Sequence, residues 1–506
     1  MHGPLKGDTR ITGLTADSRS VESGMLFAAL PGSNADGRAW MDDALARGAA
    51  AVLAPEDTPL AGDAGTPRPL LTDPEPRRRL ALMAARFHHD QPETVAAVTG
   101  TDGKSSTVGF TRQMWQALGH TAASLGTLGP DSPPRPDGPP RPDGPPRPDG
   151  PPRRETAGQD PLPARDSMTT PDPVTLHRLL AELAHDGVDH LAMEASSHGL
   201  AQFRLDGVRL KAAAFTNLTR EHLDYHGGFT AYRAAKLRLF GEVLDPAGTA
   251  VINADARESP AVMEAVRQRG ARLFTVGEAG NTVRLAARQP TPAGQTLTLD
   301  VQGDRFVVHV PLVGGFQAAN ALVALGLVLA CGADRDAAVN TLAALAGVRG
   351  RLERVATAAR GAPVFIDYAH TTGALETVLR ALRPHAGGNL VVVFGAGGDR
   401  DPGKRPAMGR VAADLAERVI VTDDNPRGED PEAIRAAVLE GCPDAAVAGD
   451  REEAIARALD GLGPDDVLLI AGKGHETGQV RGDTVHPFDD AEAARRLAAE
   501  RGGGEP

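Results

Sequence analysis

The segment from Val98 to Thr107, which reads Val-Thr-Gly-Thr-Asp-Gly-Lys-Ser-Ser-Thr, constrains the fold of this chain more than any other stretch. An apolar, β-branched run ends in a glycine-rich turn, and residues with helical spacing then follow as far as Gly119. This order predicts a strand, a loop and a helix whose N-terminus binds phosphate, with Lys104 reaching the outer phosphates of a nucleotide. Val98 stands where the strict motif has its first glycine, so an ordinary helix-capping turn is the alternative interpretation.

Lysine usage supports the phosphate interpretation. The chain has 54 lysine and arginine residues, of which six are lysines. Because arginine is used wherever a positive charge is enough, the remaining lysines are candidates for contacts or reactions that a guanidinium does not make. Lys104, Lys404 and Lys473 each follow a glycine directly. Chance survival under compositional bias is the alternative, and it accounts better for Lys6 and Lys211.

Length and composition exclude several classes of protein. A chain of 506 residues is too long for one core, so about two to four domains are expected. The formal net charge of −12 argues against a nucleic-acid or anionic-membrane surface. Cys331 and Cys442 lack metal-ligand spacing, and no apolar stretch is long enough to span a bilayer. We therefore expect a cytoplasmic protein without membrane insertion, disulfides or a nucleic-acid partner.

Alternating strand and helix patterns predict an α/β fold in three blocks. The first block, residues 1–92, ends in a predicted helix over 76–88. The second, 93–348, begins with the strand before the phosphate loop, and 349–506 form the third. Apolar runs typical of buried parallel strands occur in the third block at 364–367, 389–394, 418–422 and 467–471.

A proline-rich segment interrupts the second block. Pro-Pro-Arg-Pro-Asp-Gly occurs three times in tandem from Pro133 to Gly150. Proline removes backbone donors and the repeat has no apolar area to bury, so we predict that 130–166 is a disordered or polyproline-like insertion. A ligand for a proline-recognising partner is the alternative interpretation.

A long series of motifs resembles the Mur ligase family, from about Thr15 to Glu476. The proline-rich repeat interrupts this resemblance. In chain order the motifs are Thr15-Ala-Asp-Ser-Arg19, Asn34-Ala-Asp-Gly37, Gly100-Thr-Asp-Gly-Lys104, Thr169-Thr-Pro171, Glu194-Ala-Ser-Ser-His198, Thr216-Asn-Leu-Thr-Arg-Glu-His-Leu-Asp-Tyr-His226, Ala235-Lys-Leu-Arg-Leu239, Arg349-Gly-Arg-Leu-Glu353, Asp367-Tyr-Ala-His370, Gly397-Gly-Asp-Arg-Asp401, Asp424-Asn-Pro-Arg427 and Gly472-Lys-Gly-His-Glu476.

The resemblance implies a small N-terminal α/β domain that binds UDP, a central P-loop ATPase-like α/β domain and a C-terminal Rossmann-like α/β domain that binds the incoming amino acid. Members of the family use ATP to convert a carboxylate into an acyl phosphate, which an amine then attacks to form an amide. The motifs are most similar to those of the ligases that add a diamino acid to UDP-N-acetylmuramoyl-L-alanyl-D-glutamate in peptidoglycan precursor synthesis. The implied cofactors are ATP and Mg²⁺, and we expect a monomer.

The resemblance also implies the residues of the ATP and metal sites. ATP is assigned to Gly100, Thr101, Asp102, Gly103, Lys104, Ser105, Ser106, Asn320, Arg351 and Asp367. The expected catalytic residues are Lys104, Glu194, His222 and Lys236. The expected Mg²⁺ ligands are Ser105, Glu194, His222 and Lys236, the last as a carbamate. Taken alone, Glu194 could instead cap a helix, His222 could be a surface turn residue and Lys236 a solvated helix lysine.

Two further groups of residues are assigned to the substrates in the same way. The uridine end of the UDP-sugar peptide is assigned to Ser18, Asn34, Ala35 and Asp36, and its peptide end to Thr169, Thr170, Ser196, Gln202 and Arg204. The incoming amino acid is assigned to Arg400, Asp424, Asn425, Pro426, Arg427, Gly472 and Glu476. Gln317 and Thr372-Gly373 depart from the family pattern near the adenine site. We expect these departures to change how the adenine base packs and not which reaction is catalysed.

The motif Asp424-Asn-Pro-Arg427 favours meso-diaminopimelate as the incoming amino acid. The far end of meso-diaminopimelate carries both an ammonium and a carboxylate, which the Glu476 carboxylate and the Arg427 guanidinium complement. Lysine or ornithine would leave Arg427 without a partner, at a cost of about 1–3 kcal/mol or more. L-Lysine or L-ornithine as substrate, another Mur or folylpolyglutamate-type ligase, and a P-loop switch that hydrolyses ATP to change shape remain the alternatives.

Overall fold

The computed structural model describes residues 9–32, 35–59, 70–132, 169–219, 221 and 223–505, and the strands of these residues form three successive sheets and one separate two-stranded hairpin. Helices accompany each sheet, so the expected α/β class is confirmed. The boundaries at 92/93 and 348/349 stay predictions. In the described part of the chain, no helix combines the length and apolar character needed to cross a membrane.

The first sheet is parallel, in the order β1-β2-β3-β4. Its strands are β1 (Leu14–Thr15), β2 (Leu26–Ala28), β3 (Ala51–Pro55) and β4 (Leu70–Asp73), and its helices are α1 (Met41–Ala46) and α2 (Pro76–His88). Short 3-10 turns cover Ser18–Ser20 and Gly37–Trp40. The predicted helix over 76–88 is therefore confirmed at both ends, and its proline at the first position fits the helix start.

The second sheet contains ten strands among the described residues, in the order β14-β13-β12-β11-β10-β9-β5-β8-β6-β7. The strands are β5 (Thr94–Thr99), β6 (Ala122–Gly126), β7 (Gly129–Asp131), β8 (His190–Glu194), β9 (Ala212–Phe215), β10 (Thr249–Asn253), β11 (Arg272–Gly277), β12 (Val283–Thr291), β13 (Gly294–Val301) and β14 (Asp304–Val310). Strands β12 to β14 form an antiparallel meander, whereas β6, β8, β5, β9, β10 and β11 are parallel.

Helices pack on both faces of the second sheet, and its central strands are therefore buried throughout. They are α3 (Lys104–Ala117), α4 (Pro173–His185), α5 (Ser197–Ala201), α6 (Leu223–His226), α7 (Phe229–Arg238), α8 (Ser259–Arg269), α9 (Gly315–Ala330) and α10 (Arg335–Thr341). A π-turn at Leu239–Val243 and a 3-10 turn at Leu342–Ala344 complete the set. Helix α9 is almost wholly buried because it lies between α3 and strands β9 to β11.

The third sheet has the order β15-β16-β20-β17-β18-β19, with β15 antiparallel to the rest. Its strands are β15 (Arg351–Thr357), β16 (Pro363–Asp367), β17 (Leu390–Phe394), β18 (Arg418–Val421), β19 (Ala446–Val447) and β20 (Val467–Ala471), and β21 (Gly478–Arg481) pairs with β22 (Thr484–Pro487) as a separate hairpin. The helices are α11 (Thr372–Leu382), α12 (Lys404–Leu415), α13 (Pro431–Leu439), α14 (Arg451–Asp460) and α15 (Asp490–Glu500), with a 3-10 turn at Arg383–His385. The four predicted strands of this block are confirmed within one residue at each end.

The prediction of a disordered insertion over 130–166 was wrong at its start. Pro130 and Asp131 belong to β7, which pairs with β6 as a hairpin at the edge of the second sheet. Proline is tolerated there because an edge strand has one side without a ladder partner. The remainder of the insertion, including the whole tandem repeat, lies outside the described residues.

Candidate active site

The phosphate loop lies where β5 ends and α3 begins. Strand β5 is completely buried, and Gly103 precedes α3 with a φ of +82°, a left-handed conformation that favours glycine. The Lys104 ammonium donates hydrogen bonds to the carbonyls of Gly100 and Thr101, at 3.0 and 2.7 Å. The predicted strand, loop and helix are therefore confirmed, with the lysine lying directly over the loop.

The segment after β9 holds the loop from the neighbouring strand. The Asn217 side chain accepts a hydrogen bond from the Asp102 N–H at 2.9 Å, and the Thr216 hydroxyl donates to the Asp102 carbonyl at 2.6 Å. Thr101 accepts a hydrogen bond from the N–H of Thr219 at 2.9 Å. Thr216 and Asn217 had no role predicted from the sequence, although β5 and β9 are neighbouring parallel strands that end at one edge. That edge, where β5, β6, β8 and β9 end, is called the carboxyl edge below.

Glu194 places a buried carboxylate at the carboxyl edge. It ends β8 with 2% of its surface exposed, and it accepts hydrogen bonds from the Ser105 hydroxyl and the Thr127 N–H, both at 2.9 Å. A Cβ atom at Gly126 would overlap this carboxylate, so glycine permits the close approach. The oxygen that caps α5 belongs to Ser196 and not to Glu194, which removes the helix-capping alternative.

The residues assigned to the peptide end of the UDP substrate lie around the same edge. The Thr170 hydroxyl donates to the Glu194 carbonyl and accepts from the Ser196 N–H, each at 3.0 Å. The Arg204 guanidinium donates to the Thr170 carbonyl at 2.6 Å and is mostly buried. These contacts bring together Thr169, Thr170, Ser196, Gln202 and Arg204.

Lys236 is a buried lysine aimed at the phosphate loop. It lies on α7, is 3% exposed, and donates a hydrogen bond to the Gly100 carbonyl at 2.5 Å. Burial, helped by the positive charge of Lys104, lowers the pKa of the Lys236 amine well below its usual range. The side chain also lies 4.9 Å from the ring centre of Tyr232. Lys236 is therefore not a solvated helix lysine. The other expected ligand from this part of the chain, His222, lies outside the described residues.

A chain of polar contacts joins the phosphate loop to the third sheet. The Asn320 side chain lies against Gly103, where a Cβ atom would collide with it. Asn320 donates to the Gln317 side chain at 3.2 Å, and Gln317 donates to the carbonyl of Arg351 at 2.8 Å. Gln317 departs from the family pattern, yet here it makes the contact between the second and third sheets.

Asp367 is buried at the end of β16, where it accepts a hydrogen bond from the Leu352 N–H at 2.7 Å. Burial raises the pKa of the Asp367 carboxyl to about 6, although the neighbouring Arg351 opposes the shift. The Arg351 guanidinium lies 4.9 Å from the ring centre of Tyr368. Arg351 and Asp367, which are both assigned to ATP, are thus adjacent as partners in the β15–β16 pairing.

The residues assigned to the incoming amino acid converge at the ends of β18 and β20. Asn425 donates a hydrogen bond to the Glu476 carboxylate at 2.8 Å. The fully buried Lys473 ammonium lies 3.3 Å from the same carboxylate. Asp424 is buried beside Gly472, which has a φ of +118° and no room for a Cβ atom. The structure therefore holds the Glu476 carboxylate in place from two sides.

Arg427 stands in this cluster with its guanidinium free of carboxylates. Among the described residues, no carboxylate lies within ion-pair distance of it, and it donates to the carbonyls of Gly398 and Asn425 at 2.9 and 3.4 Å. Its φ of +51° is uncommon for a residue other than glycine. Pro426 is buried before it, and Arg400 is exposed in the loop that follows β17.

A buried ion pair fixes the two segments that carry this cluster, and sequence reasoning missed it. Arg451 and Asp490 are 1% and 0% exposed, and their charged groups are 2.7 Å apart. The same guanidinium donates to the carbonyls of Asp423 and Ala471, at 3.3 and 3.0 Å. These residues directly precede Asp424 and Gly472. No spacing rule links Arg451 to Asp490, since they lie on different helices.

The residues assigned to the uridine end lie apart from the carboxyl edge, in the loops of the first sheet. Ser18 is buried in a 3-10 turn, and Ala35 precedes Asp36. The Asp36 carboxylate forms an ion pair with Arg38 at 2.6 Å, and this pair holds the pKa of Asp36 below its usual range. Asn34 lies outside the described residues.

Comparison with known proteins covers nearly the whole chain. Family models match in sequence as Mur ligase family, catalytic domain (residues 10–97), Mur ligase middle domain (98–328) and Mur ligase, glutamate ligase domain (350–474). The chain belongs to the Mur ligase family.

Curated relatives of this Mur ligase share about half of its residues. A UDP-N-acetylmuramoyl-L-alanyl-D-glutamate–2,6-diaminopimelate ligase of Caulobacter vibrioides is 50% identical over 488 residues, which cover 96% of this chain and 95% of that protein. The ligase of the same name from Bradyrhizobium diazoefficiens is 49% identical over 505 residues, covering 98% and 97%.

Solved structures give the same result for the fold. A diaminopimelate ligase of the same name is similar with a TM-score of 0.69 and 33% identity, covering 97% of this chain and 95% of that one. A MurF ligase from Thermotoga maritima in complex with ADP has a TM-score of 0.59 at 17% identity, covering 98% and 99%. The second similarity supports the three-part α/β fold alone.

The raised pKa of Asp367 predicts a pH-dependent stability. The folded carboxyl binds its proton more tightly than the unfolded one. Its contribution to the free energy of unfolding is therefore complete below the unfolded pKa of 3.8 and is lost as the pH rises to about 6. The loss is roughly 3 kcal/mol between these limits. We expect Asp367→Asn to lack this part of the slope when urea unfolding is followed from pH 4 to pH 7. Equal slopes in both proteins would contradict the burial argument.

Proposed function

We propose that this Mur ligase joins meso-diaminopimelate to the glutamate carboxylate of UDP-N-acetylmuramoyl-L-alanyl-D-glutamate, converting ATP to ADP and phosphate. The observation that carries the choice of amino acid is the Arg427 guanidinium, which lacks a carboxylate partner among the described residues but lies in one cluster with the fixed Glu476 carboxylate. A ligand with both a carboxylate and an ammonium at its far end satisfies both groups. The names of the two relatives support the same choice.

The proposed reaction begins at the carboxyl edge. A carboxylate oxygen of the substrate forms a bond to the γ-phosphorus of ATP, and the bond between that phosphorus and ADP breaks. The amine of the incoming amino acid then attacks the acyl carbon, phosphate leaves, and the amine loses a proton as the amide forms. The loop N–H groups and Lys104 stabilise the transferred phosphoryl group, since this lysine's ammonium already lies over the loop.

The side chains at this edge fit Mg²⁺. The Ser105 hydroxyl and the buried Glu194 carboxylate lie 2.9 Å apart, and oxygen atoms of this kind are the ligands that Mg²⁺ prefers. Bound Mg²⁺ would offset the negative charge that accumulates where a phosphate meets a carboxylate. We assign the metal to Ser105, Glu194, His222 and the carbamate of Lys236.

The environment of Lys236 supports the carbamate. Carbamate formation joins the carbon of CO₂ to a neutral amine and releases one proton, so it needs a lysine that is not protonated. Burial and the nearby Lys104 both disfavour the ammonium form. The product is an anion beside the phosphate loop, where a cation would repel Mg²⁺. Arginine does not form a stable carbamate of this kind.

The substrates would span all three sheets. We assign the uridine end to the first sheet through Ser18, Asn34, Ala35 and Asp36, and the peptide end to the residues around Thr170 and Arg204. Asn320, Arg351 and Asp367 would contact adenosine, so the third sheet contributes to the ATP site. We retain the domains 1–92, 93–348 and 349–506, and we propose that the enzyme acts as a cytoplasmic monomer without a nucleic-acid partner.

Substrate choice is tested by ligation with a panel of amino acids. We expect ATP-dependent amide formation with meso-diaminopimelate at a kcat/KM at least about 10²-fold above those of L-lysine and L-ornithine, because both leave the Arg427 guanidinium without a carboxylate partner. ADP release should require the UDP-sugar dipeptide. A preference for lysine or ornithine would refute the substrate proposal, and ATP hydrolysis independent of the UDP-sugar would refute the ligase itself.

Arg427→Ala should narrow this preference. The variant loses a charge-assisted hydrogen bond that lysine cannot form, and it also loses the unpaired charge that penalises lysine. We expect the ratio of kcat/KM values for diaminopimelate and lysine to fall roughly 10²-fold, or about 3 kcal/mol of transition-state binding. Arg400→Ala serves as the control. We assign Arg400 to the α-carboxylate, which both substrates carry, so its loss should weaken both alike. Equal losses in Arg427→Ala would show that Arg427 does not bind the distal carboxylate.

Lys236→Ala should lose activity because it removes the anionic carbamate group, and not because it removes a positive charge. We expect a loss on the order of 10²-fold or more in kcat, partial rescue by acetate, and no activity in Lys236→Arg. Lys104→Ala is the matched control, because it lacks a cation and acetate should not rescue it. With ¹³C-labelled CO₂, wild-type protein should show a carbamate resonance that Lys236→Arg lacks. An active Lys236→Arg variant, or a resonance that survives this substitution, would contradict the carbamate.

A further inference from the structure

A second group of metal-ligating side chains lies where strands β6 and β8 begin, at the end of these strands opposite the carboxyl edge. The Asp189 carboxylate is 2.9 Å from Nδ1 of His190 and 3.7 Å from Nδ1 of His120. The two imidazole rings have their centres 3.8 Å apart. One ligand atom from each residue lies within 4.8 Å of the other two. These three residues are called the His120 cluster below.

The separations in the His120 cluster place three potential ligand atoms within reach of one metal ion. Zinc binds histidine nitrogen and carboxylate oxygen at about 2.1 Å, so two ligand atoms of one tetrahedral ion are about 3.4 Å apart. The two nitrogen–oxygen distances, 2.9 and 3.7 Å, end on different oxygens of Asp189, Oδ1 for His190 and Oδ2 for His120. Binding of one ion by all three residues therefore requires side-chain rotation, and the two rings, whose centres are 3.8 Å apart, must turn away from each other.

The backbone of the cluster is held firmly. The Asp189 N–H donates to the carbonyl of Thr121 at 3.0 Å, and the Asp189 carbonyl accepts from the Thr94 N–H at 2.9 Å. His190 begins β8 opposite the start of β6. The His190 ring also packs against Trp115, with ring centres 4.9 Å apart. These contacts set the positions of the ligands before any ion binds, which lowers the ordering cost of binding.

Two electrostatic features act on a cation at this position. The cluster lies at the C-terminal end of α3, where the N–H of His120 bonds to the Trp115 carbonyl and the helix dipole favours positive charge. Lys211 is the opposing charge nearby, with its ammonium 3.5 Å from the Thr94 hydroxyl. Imidazole and carboxylate ligands bind zinc by coordination rather than by charge alone, so one neighbouring ammonium does not prevent binding.

We propose that His120, Asp189 and His190 form a zinc-binding site that is separate from the active site. Strand β8 runs from His190 at this edge to Glu194 at the carboxyl edge, a distance of roughly 13 Å at about 3.3 Å per residue. The ligand set has two imidazoles and one carboxylate, which favour Zn²⁺ over Mg²⁺. Bound zinc joins the end of α3 to the start of β8 and stabilises the folded chain.

The test is zinc binding by the full chain after removal of metals with a chelator. We expect calorimetry with Zn²⁺ alone to show one site per chain whose affinity does not change in excess Mg²⁺, and the melting temperature to rise with zinc concentration. His120→Gln, which replaces a part-exposed side chain, should weaken binding at least about tenfold, as should Asp189→Asn.

His185→Gln provides the matched control. His185 and His89 also flank one carboxylate, that of Asp90, at 3.1 and 2.9 Å, but they are more exposed and belong to no group of ligands within 4.8 Å among the described residues. This variant should bind zinc as the wild type does. The proposal would be overturned by the absence of a saturable site, by unchanged affinity in His120→Gln, by an equal loss in His185→Gln, or by displacement of zinc with Mg²⁺.

Discussion

The anchoring of the phosphate loop between two neighbouring strands is the interaction on which the rest of the site depends. The loop leaves β5 and is fixed from the side by Thr216 and Asn217, which follow β9 and bond to both polar backbone groups of Asp102. Lys104 and Lys236 then converge on the Gly100 carbonyl from two helices. Because parallel strands end at a common edge, Glu194 reaches this position from β8 without a long loop.

The third sheet is connected to this edge through buried polar contacts, which lie beside an apolar contact of Val313 and Phe316 with the core of that sheet. Gly103 contacts Asn320, which donates a hydrogen bond to Gln317. Gln317 in turn donates to the backbone carbonyl of Arg351. Any movement of the third sheet would therefore act on the helix end that we propose binds phosphate. The amino-acid cluster in that sheet depends in turn on Arg451, whose guanidinium bonds to the backbone just before both of its segments.

The sequence predicted the elements that have strong local signals, and it did so with accurate bounds. The helix Pro76–His88, the strand Val467–Ala471 and the glycine at the start of α3 follow from periodicity and turn chemistry. The bond between Arg451 and Asp490 could not be predicted, because a long-range pair leaves no pattern in one sequence. Strand β7 was missed for a related reason, since a proline at a sheet edge has the local composition of a loop.

The most direct test of the central claim is the fate of the oxygen atoms of the substrate carboxylate. If the carboxyl edge transfers the γ-phosphoryl group to that carboxylate, one carboxylate oxygen leaves with phosphate when the amide forms. Ligation should be run with the UDP-sugar dipeptide carrying ¹⁸O in its glutamate carboxylate, and the phosphate analysed by mass spectrometry. We predict one ¹⁸O atom in the phosphate released per amide formed. Phosphate without ¹⁸O, alongside normal amide formation, would contradict the account.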